Sequence, residues 1–343
     1  MKQADWLIRL IPWTGSLTLL LMLAMGAAVS WGSADLGWID VWRVVASRLT
    51  GSPPADPAAD AIVWHIRLPR VILAAMVGAA LAGAGVVFQG LLRNPLADPY
   101  ILGVSSGAAL GAALAIFAGL GVSLFREWTV PVWAFAFASV ALLFVLGLGG
   151  RAMRTETLIL SGVVVQAFFG AMLTFVIAVS SAEEMQRIQY WIMGSVALRE
   201  WHHTCAILPF LLGGLTVVWL MSRPLNLFTL GERSAGHLGI AVRRTRTVLL
   251  LAATLMTSAA VAVSGTIGFV GLVIPHMMRR LAGPDHRALI PVSVLAGAIF
   301  LVASDTLARM VMEPRELPIG VVTALVGAPF FAWQLKRSIR FGG

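Results

Sequence analysis

VILAAMVGAALAGAGVVFQGLL, residues 71–92, runs 22 positions without a charge between Arg70 and Arg93. A helix rises about 1.5 Å per residue, so ~20 apolar residues cross a bilayer core about 30 Å thick. The pattern recurs along the chain. Charge-free stretches also cover 10–34, 99–125, 128–150, 157–182, 204–222, 247–278, 288–304 and 317–335, the shortest 17 residues long. Soluble proteins do not bunch their charges in this way, so the sequence predicts an all-α polytopic membrane protein.

The composition agrees, at 59% hydrophobic and 12% charged residues over 343 positions, with a mean hydropathy of +0.87. That leaves little chain for a soluble domain, and residues 1–343 read as one transmembrane domain. The 247–278 stretch is too long for one helix and is punctuated by Gly265, Gly268 and Gly271. It reads as a span to about Ser264, a glycine-rich turn, and a short span ending near Arg279. The count is then about ten transmembrane helices, with both termini on one side.

Charge orients the map. With the amino terminus inside, the inner segments carry 16 of the 25 basic residues and five acids. Basic residues accumulate on the cytoplasmic side because translocating them is unfavourable. The net charge of +9 therefore reports topology and gives no reason to expect nucleic acid. Trp31, Trp64, Trp128, Trp133, Trp191 and Trp201 fall near predicted outer span ends, where an amphipathic ring suits the interface. The first apolar stretch is long for a signal core and reads as an uncleaved span. One cysteine, Cys205, excludes an internal disulfide.

Several chemistries lack their residues. A phosphate-binding loop needs a lysine after glycine, and Lys2 and Lys336 are the only lysines, neither so placed. The six histidines are scattered or, at His202–His203, adjacent, which is poor spacing for a metal. Proton-driven carriers place unpaired carboxylates at mid-membrane. Here Asp305 and Arg309 lie one helical turn apart and can pair. A secondary transporter and a membrane enzyme are the other classes; the first lacks its carboxylate, the second a convergent nucleophile or metal set.

The short polar segments remain. In 93–99, RNPLADP, Asp98 is placed to cap the next helix with Pro99 at its first position. Gly103, Gly107 and Gly111 then recur every four residues, a flat face for close packing. The 223–246 segment, with Thr229 and Glu232 at capping-box spacing and Gly239 placed to end the helix, predicts a short cytoplasmic helix over about 229–239. It reads as a docking element rather than a plain connector, and residues 336–343 as a cytoplasmic tail. In 65–70, HIRLPR, Arg67 and Arg70 stand at the entrance to a span, either to meet an acidic partner or to anchor the interface.

Taken in order, Arg67-Leu-Pro-Arg70, Gly78–Gly83, Asn94-Pro-Leu-Ala-Asp-Pro99, Leu102-Gly-Val-Ser-Ser-Gly107, Tyr190–Gly194, Leu230-Gly-Glu232, Gly265–His276 and Glu316–Thr323 resemble the permease family of type II ABC importers for iron-siderophores, haem and cobalamin. The resemblance runs from about residue 12 to residue 336. It implies a ten-span homodimer with its pathway on the dimer axis, two copies of a separate ATPase that carries ATP and Mg, and a periplasmic binding protein that delivers substrate. It implies that Arg67, Arg70 and Arg309 dock the binding protein. Asn94, Leu96 and Thr155 would form a cytoplasmic gate, with Glu156 standing where cobalamin permeases carry a second hydroxyl. Thr229, Leu230, Gly231, Glu232, Ala235, His237 and Gly239 would belong to the element seated in the ATPase. No covalent chemistry and no bound metal or cofactor fall to this chain. The block from Gly90 to Ile116 is most similar to haem permeases, which makes haem the expected cargo, with ferric siderophores and cobalamin close behind. The bacterial inner membrane is the implied location.

Overall fold

A computed structural model describes residues 5–32, 36–53, 56–119, 122–150 and 154–341. Among them every regular element is helical. In chain order these are α1 (Asp5–Ser30), α2 (Trp38–Thr50), α3 (Pro57–Leu92), α4 (Val104–Ala118), α5 (Arg126–Leu148), α6 (Thr155–Val179) and α7 (Ala182–Met193). There follow α8 (Trp201–Leu220), α9 (Ser222–Phe228), α10 (Glu232–His237), α11 (Val242–Ser264), α12 (Val270–Ala282), α13 (His286–Met310) and α14 (Ile319–Phe341). Seven of the described helices are long and apolar enough to cross a membrane, α1, α3, α5, α6, α8, α11 and α13. α4 and the apolar part of α14 are shorter, and α12 has 13 residues. The break in the 247–278 stretch falls where expected: α11 ends at Ser264 and Gly265 turns the chain at φ +68°.

α3 is the axis of the bundle, with nearly all of its apolar window buried. Small residues let its neighbours close on it. A Cβ on Gly78 would stand 2.2 Å from the Gly297 carbonyl oxygen of α13, and one on Gly85 would stand 2.0 Å from that of Gly271 in α12. The first turns of α3 widen into a π-helix over Ala61–Arg67. Pro69 follows, and a proline ring crowds the carbonyl four residues back, so a wider turn there relieves the clash.

The 93–98 turn follows Arg93, which closes α3 in the left-handed region at φ +49°. Asp98 caps as expected, its Oδ1 accepting the Tyr100 N–H at 2.8 Å, with Pro99 opening a single 3₁₀ turn to Leu102. The glycine face is shorter than its spacing suggests. Gly107 and Gly111 do lie against the backbone of α5 at Phe137 and Trp133, but Gly103 is the turn itself, at φ +76°. Its lack of a Cβ serves the chain reversal before α4.

The glycine-rich loop between α11 and α12 is fastened from three directions. Tyr100 donates its phenol to the Ile267 carbonyl at 3.0 Å and accepts the Ile267 N–H at 3.1 Å. Thr266 donates to the Ile192 carbonyl at the end of α7. Ser195 N–H reaches the Ser264 carbonyl at 2.7 Å, and Ile319 N–H the Gly194 carbonyl at 3.0 Å. A buried backbone outside helices must find partners, and here each loop supplies them for another.

Candidate transport sites at the two ends of the bundle

Arg67 and Arg70 rise from the start of α3, and the structure brings both to Arg309 at the far end of α13. All three line one cavity of about 210 Å³, with Gly32, Glu313 and Glu316 on its wall. Arg70 is buried and saturated: Nε and Nη2 donate to Asp305 Oδ1 at 3.0 and 2.9 Å, and Nη1 donates to Glu316 at 2.9 Å. Arg67 donates from Nη1 to the Val29 and Ser30 carbonyls, both at 3.1 Å. Arg309 donates to the carbonyls of Ala28 and Trp31 at 3.0 and 3.1 Å and lies 3.3 Å from Asp305.

The chemistry follows from helix ends. The last carbonyls of α1 have no intrahelical donors, and two guanidiniums supply them. Asp305, the acid of a buried helix, needs a cation, since an unpaired carboxylate in apolar surroundings is costly. The local pair with Arg309 is present as its i,i+4 spacing suggests, but Arg70 makes the closer, two-point contact. Three helices and the 311–318 loop are thereby tied at one charged knot. Trp64 and Trp201 meet nearby, ring centres 5.5 Å apart, and Trp201 Nε1 donates to the Trp64 carbonyl at 2.8 Å.

The opposite end of α3 carries the other predicted residues. Asn94 Oδ1 accepts the Leu96 N–H at 2.9 Å, so the side chain folds the turn on itself. That leaves Leu96 half exposed. Thr155, the first residue of α6, is buried and donates weakly to Glu232 Oε1 at 3.4 Å, while Glu156 beside it points to the exposed side.

The 229–239 helix needs correction. The helical residues are Glu232–His237, with Gly231 at the N-cap and no side chain capping. Thr229 instead closes α9, its hydroxyl donating to the Asn226 carbonyl at 2.7 Å. Glu232 turns away from the backbone to the Arg246 guanidinium at 2.6 Å. An ion pair with a buried cation, which would otherwise stand alone in the bundle, outweighs a neutral cap worth about 1 kcal/mol. Gly239 does end the helix. Its N–H reaches the Gly236 carbonyl and that of Ile240 the Ala235 carbonyl, the paired closure that a left-handed glycine (φ +86°) permits. Ala235 is buried, whereas Leu230, His237 and Leu238 are exposed.

Spacing gave no hint of a third polar group at this end. Asn226 Nδ2 donates to Asp285 Oδ1 at 2.8 Å, and its own Oδ1 accepts the His286 N–H at 2.9 Å. Asp285 caps α13 by accepting the Arg287 N–H at 3.0 Å. The N-cap signal, an Asp before an apolar run, was readable; its tie to α9 was not. Burial alone would raise the Asp285 carboxyl, but hydrogen bonds from the Arg287 side chain and backbone and from Asn226, with the Arg287 charge, bring it down to about 2. Its folded pKa is depressed, so its stabilisation is present above the unfolded value of about 3.9 and lost as the pH falls towards 2. Asp285→Ala is expected to lower stability at pH 7 by about 1 kcal/mol. Detergent-solubilised protein should then melt earlier at pH 7, with a gap to the parent that is unchanged at pH 6.

The described residues thus form a helical bundle with seven candidate spans and a charged knot at each end. The model of the FecCD transport family matches residues 19–337. The chain belongs to the FecCD transport family and is a permease of the ABC importer type. It is 49% identical over 84% of its length to an uncharacterised ABC transporter permease of Bacillus subtilis, covering 82% of that protein. It is 44% identical over 90% of its length to the cobalamin import system permease of Halobacterium salinarum, covering 82% of it. Against the vitamin B12 import system permease of Salmonella typhi it is 38% identical, over 97% of each chain. Among solved structures, a metal-chelate type ABC transporter in an inward-facing conformation superposes with a TM-score of 0.83 at 32% identity, over 94% of this chain and 98% of that one.

Proposed function

We propose that this chain imports a metal chelate as the membrane half of an ATP-driven pump, and that the chelate is a cobalamin-type corrinoid. The observation that carries the reading is the end-to-end match to permeases named for cobalamin or vitamin B12, one at 38% identity over 97% of both chains. Haem is the second cargo, favoured by the likeness of the Gly90–Ile116 block to haem permeases; ferric siderophores are the third.

In this reading the chain has ten spans, both termini in the bacterial cytoplasm, and works as a homodimer. α6 supports a second copy on the pathway. One side packs into the bundle, while Leu160, Val163, Val164, Phe168, Met172 and Phe175 stay exposed, an apolar flank that suits a large chelate and a twin helix. α10 supports the ATPase, because exposed Leu230 and Leu238 flank a short helix that is closed at its glycine end. ATP and Mg belong to two copies of that partner. A periplasmic binding protein brings its acids to the mouth lined by Arg67, Arg70 and Arg309, and Asn94, Leu96, Thr155 and Glu156 gate the inner end. ATP-driven closure of the partner moves α10, and the spans rock between outward and inward access.

The test is uptake into liposomes holding this permease, its ATPase and its binding protein. ATP-dependent accumulation of cobalamin, with haem and a ferric siderophore left outside, is the expected result. Haem uptake alone would replace the cargo and keep the mechanism. Accumulation without the ATPase would sink the mechanism and make the chain a secondary carrier.

A further inference from the structure

Arg246 heads the largest side chains that the bundle buries completely. It sits in the first turns of α11, at the end of the bundle that carries the 93–98 turn. A guanidinium taken out of water must be paired, and its Nη2 lies 2.6 Å from Glu232 Oε1. Its cationic carbon also stands 5.6 Å from the ring centre of Phe228, the last residue of α9. The same Glu232 oxygen accepts the hydroxyl of Thr155, 77 residues away in sequence. One carboxylate therefore joins the first residue of α10, the first residue of α6 and the opening turns of α11.

The arrangement answers a mechanical need. α10 has six residues and buries only Ala235, too little apolar contact to behave as a rigid lever by packing. A short ion pair excluded from water is stiff, because its attraction is not screened and an alternative position would leave a buried charge alone. Arginine suits the post better than lysine, its planar fork holding direction as well as charge.

We propose that Glu232, locked by Arg246, is the strut that carries displacement of α10 to the base of α6, which makes Arg246 a positioning residue for transport. The proposal rests on the reading above in which α10 meets an ATPase. A push on α10 moves the Glu232 carboxylate, and Thr155 takes α6 with it. α6 carries the apolar flank assigned above to the pathway, so in that reading this route ends on the cargo. A merely structural Arg246 would hold the 223–246 segment in place without affecting how much transport each ATP produces.

The ratio of uptake to ATP hydrolysed separates the two. In liposomes with the ATPase and binding protein, cobalamin and haemin serve as parallel probes. Thr155→Val removes the hydroxyl at nearly constant volume, and Thr155→Ser keeps it. The paired variant Arg246→Met with Glu232→Gln removes both charges, so that neither is left buried alone. Uptake per ATP is expected to fall about tenfold in Thr155→Val and in the paired variant, the size of an ordinary coupling between sites, and to be restored in Thr155→Ser. A parental ratio in Thr155→Val overturns the proposal, and that variant decides the matter if the paired one does not fold. Loss in Thr155→Ser equal to that in Thr155→Val also overturns it, since the hydroxyl would then not be the link. Accumulation of either probe by the parent protein without the ATPase is a separate signature: it ends the ATP-coupling reading itself.

Discussion

Replacing Arg70 with methionine is expected to cost about 3–5 kcal/mol of stability, the range for breaking a buried ion pair by removing one partner. Methionine matches much of the stem, so the loss is electrostatic. Asp305, 1% exposed, would keep only the 3.3 Å contact to Arg309, and Glu316 would lose the donor that fixes the 311–318 loop. The check is the unfolding midpoint of detergent-solubilised protein, together with the yield of monodisperse material. Arg70→Met with Asp305→Asn is expected to recover part of the loss, since no lone carboxylate then remains in the bundle. If the single variant melts with the parent, the knot contributes nothing and the buried charges are paired elsewhere. The same reasoning bears on docking. Arg70 is already matched by two acids of its own chain, so a charge reversal there would unfold the mouth before it could report on a binding protein. Arg67 also lines the cavity and donates to the backbone carbonyls of Val29 and Ser30.

The charge-free stretches made the membrane fold legible because translocated charge is so costly that its absence is written into every span. Local signals were legible for the same kind of reason. Asp98 caps within two residues of itself, and Gly239 and Gly265 stand where only a left-handed residue fits. What the sequence did not disclose are contacts between elements far apart in the chain. Arg70 and Asp305 are 235 residues apart, and no periodicity links them. A charge count had one clue, since Asp305 is an acid amid apolar sequence and must find a cation. Local rules also competed wrongly at 229–239, where Thr229 and Glu232 had capping-box spacing but Glu232 had a better partner in Arg246. That cation lies on the next helix, and its burial could not be read from a segment that looks uniformly basic. The spacing of Gly103 with Gly107 and Gly111 misled in a similar way, because one glycine can serve a turn and its neighbours a packing face.

Gly85→Ala is expected to be nearly as damaging as the loss of Arg70, for a reason that has nothing to do with charge. The added Cβ would stand 2.0 Å from the Gly271 carbonyl oxygen and 2.7 Å from its carbon. Both are backbone atoms, so no rotamer change can relieve the overlap. Gly271 is itself closely packed, since a would-be Cβ on it would stand 2.5 Å from the Pro99 ring and 2.9 Å from the Leu81 carbonyl oxygen of α3. α3, α12 and the 99–102 turn converge there, and moving α12 would drag the glycine-rich loop that Tyr100 fastens. The cost should reach about 3 kcal/mol or more, the upper end for overpacking a dense core. Gly213→Ala in α8 is the control. No atom lies within 4 Å of its added methyl, and alanine is the better helix former by about 1 kcal/mol, so its midpoint should equal or exceed that of the parent. Equal midpoints for Gly85→Ala and the parent would mean that α3 and α12 are not in contact at Gly271. The small-residue seam would then not be what holds the axis of the bundle to the broken helix beside it.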